Sequence, residues 1–362
     1  MRVLVSGASI AGPAVAYWLS RHGFEVTVVE QAAGVRPGGQ AIDVRGAALD
    51  VIERMGLMPR VRAVRTRMRG MTMYDGEGVE QWSSTEMTMS AGRLDSPDVE
   101  LLREDLCTFL YEATRDRVEY VFGDTVTAVD PDGRVEFERG RPASYDLVIG
   151  ADGLHSTVRR LVFGPERDFL RSLRARLAVF SAPNFLGLDN WQIWLREGLR
   201  GYCVYPVRDN AEVRVIAGFE AGPEEHLERI DPGVQKQLVA DALGSLGGNT
   251  AKVLAAMWDA DDLYSDVMAQ VHMPSWTSGR VALVGDAASC PSPITGQGTS
   301  LALVGAYVLG TELGRSGGEP GPAFAAYEAR MRPFVQANQA LATPDRRADE
   351  EAVDLAKNAI TL

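Results

Sequence analysis

Three glycine-containing turns, far apart in the chain, carry the residues best suited to chemistry. The first is Gly7-Ala8-Ser9-Ile10-Ala11-Gly12, with Glu30 and its neighbour Gln31 downstream. The second is Asp152-Gly153, inside the run Asp146 to Arg159. The third is Gly285-Asp286, followed by Pro293, Gly296-Gln297-Gly298 and Thr299. A tight turn at Gly7 and close helix packing at Gly12 would set free N–H groups and the positive helix end against a pyrophosphate. Glu30 follows Gly7 by 23 positions, a spacing that suits a carboxylate accepting hydrogen bonds from an adenosine ribose. Ser9 stands where a second glycine normally lets the backbone approach the phosphates; serine is small and donates a hydroxyl. Arg45 and Arg103 are further cofactor candidates, because a planar guanidinium fork binds phosphate or several oxygens at once.

The elements around these turns read as alternating strands and helices. Arg2 to Val5 is apolar and β-branched, as a buried parallel strand is. A helix through Pro13, Ala14, Val15, Tyr17, Trp18 and Leu19 stops at Gly23, and Glu25 to Val29 forms a second strand ending on Glu30. That is a complete βαβ opening. Helices are expected over Ala47 to Met55 and Val99 to Thr114, the latter carrying Leu101 and Leu102. Leu147 to Gly150 and Val281 to Val284 read as further buried strands. After Arg171 the pattern turns to strands, with a helix over Pro232 to Leu246. An apolar helix runs from Thr299 to Leu313. Two more are expected at about 322–341 and 345–360, the second capped by Thr343 with Pro344 at its start.

Taken together, the three turns resemble those of the single-component FAD-dependent monooxygenases of the p-hydroxybenzoate hydroxylase type, in the short form of the antibiotic-modifying and natural-product hydroxylases. The resemblance implies an α/β protein: a doubly wound, Rossmann-like FAD domain with an inserted β-sheet substrate domain and C-terminal helices. The FAD domain would be built from 1–70, 93–170 and 276–320, the substrate domain from 71–92 and 171–275, and bracing helices from 321–362. Arg103 would be the family's arginine at the head of a helix near the flavin. Asp152 and Gly153 would touch FAD and the nicotinamide, and Gly285 and Asp286 the ribityl chain. Pro293, Gly296, Gln297 and Gly298 would position the flavin, where the helix beginning near Thr299 offers about half a positive charge to the reduced ring. The implied cofactors are non-covalent FAD and transient NADPH or NADH. The implied reaction adds O2 at flavin C4a and passes one oxygen atom from the hydroperoxide to an aromatic or polyketide-like small molecule. No substrate base is assigned. A flavin-dependent halogenase shares the framework but needs an N-terminal lysine, and none precedes Lys236; Trp191-Gln192-Ile193-Trp194 does not match its tryptophan motif. A flavin-binding protein without turnover is the remaining alternative.

Other features bound the function. A net charge of −12 in 362 residues argues against nucleic acid, whose phosphates need a basic face. Cys107, Cys203 and Cys290 form neither a zinc pattern nor a disulfide framework; Cys290 reads as a small buried residue. Arg159 would hold a phosphate, brace Asp152 or lie on a helix surface. The histidines His22, His155, His226 and His272 have no metal-like spacing. No apolar run reaches the ~18–20 residues of a membrane helix, and no signal peptide is visible, so a cytoplasmic monomer or homodimer is expected. The arginines at 54, 60, 62, 65, 67 and 69 read as a solvated face. Met71, Met73, Met87 and Met89 alternate as pocket lining or ordinary core would, and Trp191 and Trp194 share that ambiguity.

Overall fold

A computed structural model describes residues 1–222, 231–343, 346, 347 and 349–362. Its first sheet has six strands in the order Thr277–Ser278, Val281–Leu283, Leu147–Gly150, Arg2–Ser6, Glu25–Glu30 and Glu119–Phe122. All neighbours run parallel except the short Thr277–Ser278 edge. Val3, Leu4, Val5, Leu147, Val148 and Ile149 are fully buried. Such runs can be apolar throughout because helices cover both faces of a parallel sheet. The helices Ala11–Arg21 and Gly298–Arg315 pack side by side over it.

The second sheet has seven strands: Tyr264–Val271, Leu170–Pro183, Glu212–Glu220, Arg200–Val207, Trp191–Glu197, Gly70–Tyr74 and Glu80–Ser84. Only Trp191–Glu197 and Gly70–Tyr74 pair in parallel; the others are antiparallel. Side chains alternate across it. Tyr202, Val204, Ile193 and Leu195 face a core shared with the helices Pro232–Leu243 and Thr250–Asp259. Cys203, Tyr205, Trp194 and Ile216 face the other way, onto Ala41 and Leu102.

Two elements differ from the sequence reading. Val99–Leu102 is a strand paired with Ala41–Val44, and the helix starts only at Arg103. Leu101 and Leu102 suit either structure, and the pairing partner decides. The last helix spans Glu350–Lys357, and Asp349 caps it by accepting from Ala352 N at 2.8 Å. Thr343 is instead in a short strand paired with Arg346–Arg347. Pro344 and His226 lie outside the described residues. The preceding helix, Pro320–Gln339, is where the periodicity puts it.

Candidate functional site

The three turns converge at one end of the six-stranded sheet. Gly7 has φ +106°, and a Cβ there would lie 2.5 Å from the Ala151 carbonyl oxygen. A Cβ on Gly12 would lie 1.8 Å from the Gly7 oxygen. Both positions exclude any larger residue, the first because the second turn presses on it. Gly285 approaches the first helix in the same way, with its missing Cβ 2.8 Å from that of Ala11. Arg2–Ser6 lies between Leu147–Gly150 and Glu25–Glu30. The chain therefore leaves this central strand in opposite directions, and the crevice above such a switch point is where open α/β sheets bind ligands.

Glu30 is buried, and its two oxygens accept from Ala8 N at 2.8 Å and Ala32 N at 2.9 Å. The carboxylate thereby fixes the glycine turn and keeps lone pairs for a ribose. Gln31 is exposed beside it. Ile10 precedes the first helical residue, Ala11, so the free N–H groups of Ala11 and Gly12 open the helix. Ser9 Oγ sits 3.6 Å from Cys107 Sγ, and Arg103 Nη1 lies 3.5 Å from the same sulfur. Arg103 thus stands beside the first turn. Its Nη2 is engaged differently, donating to the Arg36, Pro37 and Gly38 carbonyls.

Asp152 is occupied mainly with its own chain. Ser156 Oγ and Val158 N donate to its two oxygens, so it braces Ser156, which caps the helix Thr157–Val162, and satisfies one N–H of its first turn. Burial pushes its pKa up. Gly153 follows at φ +82°. Arg159 is no surface residue and does not reach Asp152. It is fully buried and donates to the Ala287 and Leu154 carbonyls and to Glu166. Because Ala287 follows Asp286, this arginine ties the second turn to the third. Asp286 opens the short helix Asp286–Ser289 and lies 3.7 Å from the position a Gly298 Cβ would take, at the N-terminus of Gly298–Arg315. Burial raises its pKa. Cys290 donates to the Ala269 carbonyl at 3.5 Å, and burial pushes its thiol pKa well up.

A set of polar atoms includes Arg45 and Gln297, both candidates from the sequence, and adds Asp43 and Ser292, which were not. Asp43 and Arg45 are buried at the end of Ala41–Val44 and are bonded to each other, Arg45 Nη2 to Asp43 Oδ2, at 2.8 Å. The same nitrogen donates to Ser90 O, and Arg45 N donates to Ser300 Oγ. A Cβ on Gly296 would stand 3.5 Å from Asp43 Oδ2 and 3.6 Å from Arg45 Cζ, so this pair borders the Pro293–Gly298 loop. Asp43 Oδ1, Arg45 Nε, Ser292 Oγ and both side-chain polar atoms of Gln297 are buried without a hydrogen-bond partner among the described residues. Native interiors rarely leave such atoms unpaired. Their concentration around one loop marks a place for a polar ligand. For Asp43, the two-residue spacing from Arg45 at a strand end is the hint the sequence offers.

The loop 36–41 is held by the helix Arg103–Thr114 and by the seven-stranded sheet. Glu104 accepts from Gly38 N at 2.6 Å, Arg208 Nη2 at 2.7 Å and Arg214 Nη2 at 3.2 Å, while Tyr205 Oη accepts from Ala41 N at 2.8 Å. These contacts lower the Glu104 pKa despite burial. Gln192, fully buried, donates to Ser90 Oγ at 2.6 Å and accepts from Trp194 Nε1 at 3.1 Å. Met71 and Met73 are paired with Gln192 and Trp194 in the same sheet. Met71 is core, whereas Met73 and Trp194 are part-exposed on the face toward the crevice.

The residues present fit FAD: a pyrophosphate turn at Gly7–Gly12, a ribose carboxylate at Glu30, and unpaired donors and acceptors where a ring with several heteroatoms would lie. The comparisons agree. Residues 1–342 match the family model described as an FAD binding domain. The chain is 49% identical to an uncharacterised Mycobacterium tuberculosis (strain ATCC 25618 / H37Rv) protein, over 93% of this chain and 91% of that one. It is 40% identical to a flavin-dependent monooxygenase of Legionella longbeachae serogroup 1 (strain NSW150), over 94% and 87%. The crystal structure of tetracycline destructase Tet(51) superposes with a TM-score of 0.87 at 36% identity, over 100% of this chain and 98% of that one. The glycine turns, the crevice they enclose and these relatives agree that the chain belongs to the FAD-binding-domain family and is a flavin-dependent monooxygenase of the p-hydroxybenzoate hydroxylase fold.

Proposed function

We propose that this enzyme uses NADPH or NADH and O2 to hydroxylate an electron-rich aromatic or polyketide-like small molecule. FAD would supply the reduction of oxygen and the transfer of one oxygen atom; the chain binds, orients and shields it. In this reading Gly7, Ser9, Ile10, Ala11 and Gly12 seat the pyrophosphate together with Arg103. Glu30, beside Gln31, takes the adenosine ribose, and Asp286 takes a hydroxyl of the ribityl chain. Asp152 and Gly153 form the wall between the first and third turns. Arg45, with Pro293, Gly296, Gln297, Gly298 and Thr299, surrounds the ring. The N-terminus of Gly298–Arg315 favours negative charge there.

The observation that carries the substrate class is the sheet face opposite the flavin loop. Trp194, Met73 and Ile216 present aromatic and polarizable surface, and Gln192 and Arg214 add polar anchors on the neighbouring row. Apolar walls with a few fixed polar groups suit a fused-ring ligand carrying oxygens. The tetracycline destructase relative points to the same class.

The test is anaerobic reduction of the yellow protein by each nucleotide, followed by a screen of phenolic and polyketide ligands. Ligand-stimulated bleaching, then oxygenated product on admitting air, supports the reading. A flavin that never accepts hydride faster with any such ligand would favour a binding protein without turnover.

A further inference from the structure

The pair Asp43–Arg45 is more than a ligand clamp. Asp43 is buried with one oxygen, Oδ2, held by Arg45 and the other, Oδ1, unpaired among the described residues. Arg45 is also anchored by Ser90 O, through the same Nη2, and through its backbone by Ser300 Oγ. Both side chains border Gly296 of the flavin loop, through Asp43 Oδ2 and the Arg45 guanidinium. A carboxyl group in this position has one oxygen fixed at the edge of the loop and the other buried without a partner among the described residues. That is the arrangement of a group that holds and exchanges a proton, rather than one that only anchors.

We propose that Asp43 is the acid–base group of this crevice: its Oδ1 holds a proton at the edge of the flavin loop and exchanges it with the isoalloxazine ring as the ring's charge changes, while Arg45 keeps the carboxylate in place. The inference rests on the assignment of FAD to this crevice. The step is a proton transfer alone. The Asp43 O–H bond breaks, its electron pair stays on the carboxylate beside Arg45, and a new bond to hydrogen forms on a ring heteroatom; the reverse returns the proton.

The electrostatic surroundings are consistent with this role. Burial raises the Asp43 pKa to about 7, Arg45 opposes the rise, and Glu100 and Asp98 add to it. Glu100 reaches it from the strand Val99–Leu102, where its Oε2 accepts from Thr66 Oγ1. Asp98 is partly neutralised by Lys357 Nζ at 3.0 Å, from the C-terminal helix. A carboxyl at this value is protonated about ten to one at pH 6 and ionised about ten to one at pH 8.

The experiment is a reduced-minus-oxidised infrared difference spectrum of the holoenzyme, with aspartate carboxyl-labelled with carbon-13. The expected result is a protonated-carboxyl stretching band that shifts with the label, shrinks about tenfold between pH 6 and pH 8, and vanishes in Asp43→Asn. In Asp43→Glu the band should persist but lose its sensitivity to labelled aspartate, which assigns it even if the asparagine variant does not fold. Flavin bands without any label-sensitive carboxyl band, in otherwise normal holoenzyme, would overturn the proposal. A protein that takes up no FAD and gives no flavin bands would instead overturn the cofactor assignment on which it stands.

Discussion

At the scale of single residues, steric and polar roles separate cleanly. Gly12→Ala places a methyl group where the Gly7 oxygen stands. It should cost about 2 kcal/mol or more and abolish FAD retention, read as flavin content after purification. Normal flavin content would show that the first turn does not carry the pyrophosphate. Asp286→Ala acts in the opposite sense on stability. Burial already works against the Asp286 charge, so the apo variant should melt no lower than the parent. Losing one charge-assisted hydrogen bond to the cofactor should weaken FAD affinity by roughly tenfold to a hundredfold. An unchanged dissociation constant in a fluorescence titration would remove Asp286 from the ribityl contact.

At the scale of elements, the site depends on tethers between turns. Arg159 joins the short helices Thr157–Val162 and Asp286–Ser289 by donating to the Leu154 and Ala287 carbonyls. Arg159→Met keeps the volume but strands two carbonyls and Glu166. A loss of roughly 3 kcal/mol is expected, measured by denaturant unfolding of the apo form. Since it acts on the element bearing Asp286, FAD release should quicken as well. If stability falls but FAD release does not change, the tether is structural only.

At the scale of the whole molecule, the two sheets are joined by charged contacts. His155, just after the second turn, binds Glu166 at 3.0 Å and Asp266, on the seven-stranded sheet, at 3.1 Å. These partners raise its pKa from 6.5 to about 9. A raised pKa means the folded state holds the proton more tightly than the unfolded state does. The contribution is therefore fully present below about pH 6.5 and lost as pH rises through about 9. His155→Gln should flatten that part of the stability profile, measured as melting temperature against pH. An unaltered slope would show that the bridge is too solvent-exposed to contribute. Glu104, Arg208 and Arg214 form a second such link across the loop 36–41.

Local signals in the sequence determined the βαβ opening, the buried parallel strands and the three turns, and the resemblance those turns carry together implied the cofactor class. Turn glycines, strand periodicity and the Gly7-to-Glu30 spacing each act over fewer than about thirty residues, so they are visible without tertiary contacts. Long-range pairing decided the rest. Leu101 and Leu102 became a strand because Ala41–Val44 lies beside them. Arg159 became a buried tether because Ala287, 128 positions away, turns its carbonyl toward it. Asp43 became a buried carboxyl, with one oxygen unpartnered among the described residues, because Arg45, Glu100 and Gly296 enclose it from three separate segments. Burial and partner geometry set the chemistry of an ionisable group, and no short stretch of sequence contains either.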